Sequence, residues 1–227
     1  MEGQLPIRSG ENWGEQVSEA FSAASRSWNR VGRSSKGRES IGADRGVCRG
    51  NSLRDALRRS TQDAHASTEA AFADFDLNRV DGLGRALRAH SVALSSLIPS
   101  VVSRPHHHEV CVSLLNLANG GLRALGIAIP VSERSISDLH PLGVAYVVLG
   151  SRLGARVVRQ GLTSNASGSL AAAQEYFLHE APTALWRPLL EELQHVRAEE
   201  ERGQIVAAAL RAFAEFECAA LEARQLV

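Results

Sequence analysis

The sequence has no excess of either charge, since 25 lysine and arginine residues balance 25 aspartate and glutamate residues over 227 residues. A protein dedicated to nucleic acids normally carries a basic excess on its binding domain, so this balance argues against that class. Aromatic residues make up only 5% of the chain, and isoleucine is scarce. Because β-sheets favour β-branched and aromatic side chains whereas alanine and leucine favour helices, the composition predicts an all-α protein.

Cysteine and long apolar runs are also scarce. Cys48, Cys111 and Cys218 are odd in number and show no CxxC spacing, so neither a disulfide framework nor a zinc site is predicted. The longest apolar run, around 143–149, is followed by Arg152 and falls short of the roughly 18 to 20 residues that span a bilayer. The N-terminus lacks the apolar region of a secretion signal. We therefore expect a cytoplasmic protein with reduced cysteines and no membrane span.

Residues 1–51 differ in composition from the rest of the chain. They are rich in serine, glycine and arginine and contain few apolar residues. Such a segment cannot bury enough surface to offset the entropy lost on folding. We expect a disordered or weakly ordered extension here, followed by one helical domain over residues 52–227. A basic docking arm is the alternative, but eight basic residues against six acidic ones give the segment little excess charge.

The spacing of apolar residues predicts six helices. Ser52 and Asp55 stand in the positions of a capping box, so the first helix is expected to begin there and to continue to Phe72. Five more helices are expected at about 78–98, 109–125, 139–160, 170–195 and 200–225. Pro182 and Pro188 should break or kink the fifth of the six.

The first predicted helix carries a candidate for haem chemistry. His65 lies seven residues after Arg58 and four before Glu69, so all three fall along one helix face. A neutral imidazole is a common axial ligand of haem iron, and a carboxylate one turn away can accept its second N–H. Arg58 would lie about 10 Å from His65, near the position of a haem propionate. The competing interpretation, which the spacing alone favours, is that His65 is an ordinary, partly buried residue.

The fourth predicted helix contains three glycines, Gly143, Gly150 and Gly154. Each costs a helix interior about 1 kcal/mol relative to alanine, so their presence needs an explanation. Glycines at this spacing let the backbone approach either a neighbouring helix or a flat ligand. The pattern does not choose between these two alternatives.

Together, the two segments resemble the haem oxygenases, in particular the bacterial type that is associated with phytochromes. Residues 53–69 (LRDALRRSTQDAHASTE) are similar to the proximal helix of that family, and residues 143–154 (GVAYVVLGSRLG) are similar to its glycine-rich distal helix. The two matches stand in the family's order and at its separation. The resemblance covers residues 52–221 and includes Tyr176-Phe177, Trp186-Arg187 and the last helix with Phe213 and Phe216.

The resemblance implies a single-domain, multi-helix bundle that holds haem between the proximal and the distal helix. In such a bundle, His65 would be the ligand of the haem iron and Glu69 its hydrogen-bonding neighbour. Arg58 and Arg187 would contact the haem propionates, and Tyr146 would also contact the haem.

The resemblance also implies a reaction. In the family, haem is both prosthetic group and substrate, and it reacts with O2 and external electrons to give biliverdin, CO and ferrous iron. The electrons would come from a reductase or a ferredoxin, and the biliverdin would supply the chromophore of a bacteriophytochrome. Gly150, Ser151 and Gly154 would form the catalytic distal surface, where they bend bound oxygen towards the ring edge and leave room for water.

Four positions depart from the family pattern. Ser151 stands where animal members have the aspartate that organises the proton-delivering water, although bacterial relatives commonly have Gly-Ser here. Leu149 replaces a frequent glutamate, Gly121 a usual aspartate and Ala155 a frequent glycine. These changes leave open a slow or inactive protein of the same fold that binds or delivers haem. A third alternative is a helical protein with a pocket for another small molecule.

The other polar clusters are weaker candidates for a functional site. The tract His106-His107-His108-Glu109 follows Pro105 and has no second set of ligands at the spacing of a metal site. We interpret this tract as a solvated loop rather than a metal site. His90 and the remaining histidines show no recognisable pattern of partners.

Overall fold

The structure is a computed structural model that describes residues 52–162, 166–179 and 183–225. Within these ranges the chain has no strand, so the predicted all-α class is confirmed. The described helices are α1 (Leu53–Ser60), α2 (Gln62–Phe72), α3 (Val80–Leu97), α4 (Pro105–Ala124), α5 (Pro141–Gly161), α6 (Gly168–Leu178), α7 (Thr183–His195) and α8 (Glu199–Gln225), with a 3₁₀ turn at Ile98–Val101. The expected extension over residues 1–51 and the expected break at Pro182 lie outside the described residues.

The first predicted helix begins as expected but is interrupted once. Ser52 caps α1, because its side chain accepts a hydrogen bond from the backbone N–H of Asp55 at 3.1 Å. At Thr61 the backbone leaves the helical region, with φ −99° and ψ 2°, while the Thr61 hydroxyl donates to the Leu57 carbonyl at 2.8 Å. The prediction of a single helix is therefore wrong, since Arg58 lies in α1 and His65 in α2.

Two other predicted boundaries differ from the structure. α4 begins at Pro105, where the missing N–H of proline costs no hydrogen bond. The tract of residues 106–108 is therefore helical, and its interpretation as a loop is wrong. The fifth predicted helix is two helices, α6 and α7, and Pro188 lies inside α7.

Helix α8 lies at the centre of the bundle. Because small side chains let a neighbouring helix approach closely, α2, α3 and α5 all pack against α8. In contrast, α2 and α5 touch each other little, although both pack on α8. The inner face of α8 carries six buried alanines: Ala208, Ala209, Ala212, Ala219, Ala220 and Ala223.

Helix α3, which corresponds to the second predicted helix, buries one apolar face. Leu83, Leu87, Leu94 and Leu97 are all buried. Val80 is 51% exposed because it is the first residue of α3, outside the packed part of the helix.

Helix α5 is the one described helix that is long and apolar enough to cross a membrane, with a mean hydropathy of 1.2. Length and composition are weak evidence here, because 71% of that stretch is buried inside the fold. The apolar stretch is longer than the sequence alone indicated. Arg152 does not end it, since this side chain is itself buried.

Candidate functional site

The structure brings together the side chains of His65 and Glu69 on α2. Nδ1 of His65 lies 3.2 Å from Oε1 of Glu69, one helical turn further on. The His65 ring also packs against the ring of Phe213 in α8, with 5.5 Å between the centroids and an edge-on geometry. The two side chains are 24% and 19% exposed, so both lie at the border between the core and the solvent.

Burial shifts the ionisation of both groups. Desolvation lowers the pKa of His65 below 6.5 and raises the pKa of Glu69 to about 7. Although Oε1 of Glu69 lies close to the imidazole, it is buried and makes no hydrogen bond of good geometry. At neutral pH the imidazole is therefore neutral and the Glu69 carboxyl group is about half ionised, so the two groups do not form a full ion pair.

Side-chain contacts hold α2 in position on α8. The hydroxyl of Thr68 donates to the carbonyl of Ala64 at 2.8 Å and lies 3.3 Å from the carbonyl of Phe213. The hydroxyl of Ser67 bonds to Glu217. Ser67 and Thr68 lie two and three residues after His65, so their contacts fix the side of α2 that faces α8 next to His65.

A second group of predicted residues meets where α1, α5 and α7 come together. Tyr146 of α5 is buried, and its ring lies 5.6 Å from the ring of Trp186 in α7. Desolvation raises the pKa of Tyr146, while the positive charges of Arg54 and Arg58 in α1 lower it. The phenol of Tyr146 is therefore within electrostatic range of the basic face of α1.

Arg187 stands apart from these groups. Its side chain in α7 is 85% exposed, and its Nε lies 3.4 Å from Oε1 of Glu191. In this structure the side chain is thus directed to the solvent, on a helix that also supplies Trp186.

The residues predicted for the distal surface all lie in α5. Gly150 is buried, whereas Ser151 is exposed and its hydroxyl donates to the carbonyl of Val148 at 2.9 Å. Leu149 is also buried. Gly154 belongs to the next turn of α5, and its surroundings and those of Ala155 lie outside the described part of the structure.

Close helix packing explains the presence of glycine at position 143 in α5 and at position 121 in α4. A Cβ atom on Gly143 would lie 2.7 Å from the Cβ of Ala208 and 2.9 Å from the backbone N of Ala209, so the approach of α8 requires glycine there. A Cβ atom on Gly121 would lie 2.8 Å from Leu87 Cδ1 and 3.1 Å from the Ala173 carbonyl. An aspartate at position 121 would therefore push α6 away from α4.

A polar cluster centred on the half-buried His90 and the buried Tyr176 has no counterpart in the sequence-based predictions. The Tyr176 hydroxyl lies 2.9 Å from Nδ1 of His90. Arg152 packs over the Tyr176 ring, with its guanidinium carbon 4.9 Å from the centroid. These residues come from α3, α5 and α6, so no local pattern could reveal the cluster. The one available signal was a charged residue, Arg152, within an apolar stretch.

A cavity of about 710 Å³ lies between α4 and α6, on other elements than His65. Its lining includes Glu109, Asn116, Gly120 and Glu175. Among the predicted site residues and the four positions that depart from the haem oxygenase pattern, only Gly121 lines this cavity. Volume alone therefore does not point to the residues that the sequence singles out.

Among the residues that the structure describes, no group of three or more His, Cys, Asp or Glu side chains could hold a metal ion. Haem iron needs only one protein ligand, so this observation does not bear on His65. No protein-family model matches the chain, and a search of curated proteins finds no match either. A functional proposal therefore rests on the residues themselves.

Proposed function

We propose that this protein is a haem oxygenase that converts haem to biliverdin, CO and ferrous iron, with O2 and with electrons from a reductase or ferredoxin. The observation that carries the proposal is the pair on α2. A neutral, partly exposed imidazole lies 3.2 Å from a carboxyl group one turn away, which is the arrangement that suits an axial iron ligand. A bacteriophytochrome that takes up the biliverdin is the proposed partner.

The donor set of the pair fits haem. With Nδ1 of His65 turned towards Glu69, Nε2 is the nitrogen that would bind iron. The buried Oε1 of Glu69 makes no well-formed hydrogen bond, and a small rotation of the ring would supply one from the Nδ1–H group. Such a bond selects the tautomer and makes the imidazole a better ligand.

The arrangement of the helices also supports haem as the ligand. α2 and α5 pack on α8 but touch each other little, which is the arrangement expected for helices on the two faces of a flat ligand. On α1, Arg54 in the first turn and Arg58 in the last turn would pair with propionates, and Tyr146 and Trp186 provide aromatic surface. When bound, haem supplies the iron that activates O2. The residues of this chain bind the haem, orient it and exclude water.

One observation favours the second candidate, a haem-binding or haem-delivery protein without turnover. The hydroxyl hydrogen of Ser151 is used within α5, in its bond to the Val148 carbonyl. Leu149, on the other side of Gly150, is apolar and buried. The residues directly beside Gly150 therefore provide no acidic proton donor of the kind that turnover would need.

Hemin titration tests the iron ligand. We expect the full-length protein to shift the Soret band of added hemin, and His65→Ala to weaken hemin binding by on the order of 100-fold or to abolish the shift. His195→Ala removes an exposed histidine from α7 and serves as the matched control, with wild-type binding. An unchanged Soret shift in His65→Ala would show that His65 is not the ligand.

Adding a reductant and O2 to the hemin complex separates the two candidates. Loss of the Soret band with the appearance of biliverdin supports the oxygenase. A ferrous complex that persists in oxygen, in protein that binds hemin through His65, supports the binding protein instead.

A further inference from the structure

The start of α5 depends on the imidazole of His140. This residue is the N-cap of α5, and its Nδ1 accepts a hydrogen bond from the backbone N–H of Leu142 at 3.3 Å. Its Nε2 lies 3.6 Å from Oε1 of Glu201 in α8. Only 18% of the His140 side chain is exposed. One imidazole therefore contacts both the first turn of α5 and the helix on which that turn packs.

The hydrogen bond from Leu142 leaves no place for a second proton on the His140 ring. A neutral imidazole carries one N–H group and one lone pair, whereas the charged form has two N–H groups and no acceptor. Because Nδ1 of His140 accepts the Leu142 N–H, the proton of the neutral ring lies on Nε2, which faces Glu201. Protonation would place a hydrogen on Nδ1, so the cap bond and the charged imidazole exclude each other.

Loss of the cap bond would affect a closely packed turn. Pro141 has no N–H, and the two N–H groups that follow Leu142 bond to the His140 carbonyl at 3.0 and 3.4 Å. The Leu142 N–H is the donor of this turn that the imidazole satisfies. Leu142 is only 1% exposed, so an unpaired N–H here would be costly. In the same turn, Gly143 approaches α8 so closely that a Cβ atom would lie 2.7 Å from the Cβ of Ala208.

Charged neighbours of His140 act in both directions, and burial decides the balance. Desolvation by burial is the largest effect and lowers the pKa of His140 below 6.5. The carboxylates of Glu201 in α8 and Glu192 in α7 raise this pKa without offsetting the burial, and Arg104 at the start of α4 lowers it further. The N-terminus of α5 also disfavours positive charge. Stability from His140 is therefore complete above pH 6.5 and is lost as the pH falls through its folded pKa.

We propose that His140 is a proton-operated latch, which holds the first turn of α5 on α8 at neutral pH and releases that turn when the imidazole is protonated. The switching step is the uptake of one proton from the solvent at Nδ1, in exchange for the hydrogen bond from Leu142. The latch includes none of the residues proposed to contact haem, so it stands or falls separately from the proposed oxygenase.

NMR spectroscopy of the full-length protein without hemin tests the latch between pH 7.5 and pH 4.5. At pH 7.5 the nitrogen shifts of the His140 ring should show a proton on Nε2 and none on Nδ1. As the ring takes up its second proton, with a midpoint below pH 6.5, the protection of the Leu142 amide against hydrogen exchange should fall about fivefold more than that of Ala209 in α8. A proton on Nδ1 at pH 7.5 would overturn the proposal, as would Leu142 protection that stays constant or rises relative to Ala209.

Two variants show whether His140 itself is the sensor. His140→Asn keeps a side-chain acceptor at the N-cap but cannot titrate, so the acid-dependent fall in protection at Leu142 should disappear. His195→Asn replaces an exposed histidine of α7 and is the matched control, which should keep the full fall. If the fall persists in His140→Asn or disappears in the control, acid acts on α5 through another group and the proposal is wrong.

Discussion

Two histidines of this protein lie in contrasting surroundings. His65 on α2 is at the border of the core, with 24% of its side chain exposed and with Glu69 beside it. His90 on α3 is also half-buried, but its ring packs among aromatic rings whose centroids lie 4.8 to 5.7 Å from its own, and its Nδ1 is bound to the Tyr176 hydroxyl. The surrounding rings belong to Phe72, Tyr176, Phe177 and Phe216.

This contrast distinguishes the histidine proposed as a ligand from one whose contacts stabilise the fold. A metal ligand needs access for the metal and a partner that orients the ring, and the haem proposal rests on the partial exposure of His65 and on Glu69 beside it. His90 is half-buried, but its ring packs among aromatic side chains and its Nδ1 is satisfied by the Tyr176 hydroxyl, and desolvation lowers its pKa to about 3. Residue type alone cannot separate these two roles.

The largest expected difference is in stability. We expect His90→Ala to lower the free energy of unfolding by about 3 kcal/mol, because it opens a cavity and leaves the Tyr176 hydroxyl without its partner. His65→Ala should cost about 1 kcal/mol or less, since its site is partly open to solvent. Urea unfolding at neutral pH measures both values. Equal losses in the two variants would contradict a stabilising role for the packing of His90 among the aromatic rings.

The next largest effect should be on the pH dependence of stability, to which His90 and Glu69 contribute in opposite directions. His90 has a folded pKa of about 3 against 6.5 unfolded, so its contribution is complete above pH 6.5 and is lost as the pH falls towards 3. Glu69 has a folded pKa of about 7 against 4.5 unfolded, so the fold favours its protonated form. Stability from Glu69 is therefore complete below pH 4.5 and is lost as the pH rises through 7.

Glu69→Gln isolates the Glu69 contribution. After allowance for the partial exposure of Glu69, we expect wild-type protein to lose about 2 kcal/mol relative to Glu69→Gln between pH 4.5 and pH 8. Urea unfolding of both proteins at a series of pH values gives this difference, in which other titrating groups cancel. A difference that stays constant with pH would mean that Glu69 is solvated in the folded protein.

The sequence predicted those features that depend on neighbours along one helix. The pairing of His65 with Glu69 follows from a spacing of four residues, and the start of α1 follows from Ser52 and Asp55. The interruption at Thr61 was not predictable from apolar spacing, because it depends on a threonine hydroxyl that bonds back to the Leu57 carbonyl.

Features that depend on contacts between distant helices were missed. His90 and Tyr176 are 86 residues apart in sequence, and each looks ordinary in its own helix. Gly143 showed that something approaches α5 closely, but only the structure identifies α8 as the neighbour. The role of the glycine at 150 still depends on the haem proposal, because its position in α5 does not by itself distinguish packing from ligand binding.

The smallest expected effect on stability concerns two adjacent glycines of α4. One lies in open surroundings and the other in enclosed surroundings. A Cβ atom on Gly120 would meet nothing within 4 Å, whereas one on Gly121 would contact Leu87 and the Ala173 backbone. Gly120→Ala should therefore stabilise the protein by up to about 1 kcal/mol through helix propensity alone. Gly121→Ala should lose about 1 kcal/mol, because overpacking against α6 outweighs the same gain in propensity. Thermal and urea unfolding of the two variants test this difference in sign, and stabilisation by both would mean that α4 and α6 are not packed as closely as described here.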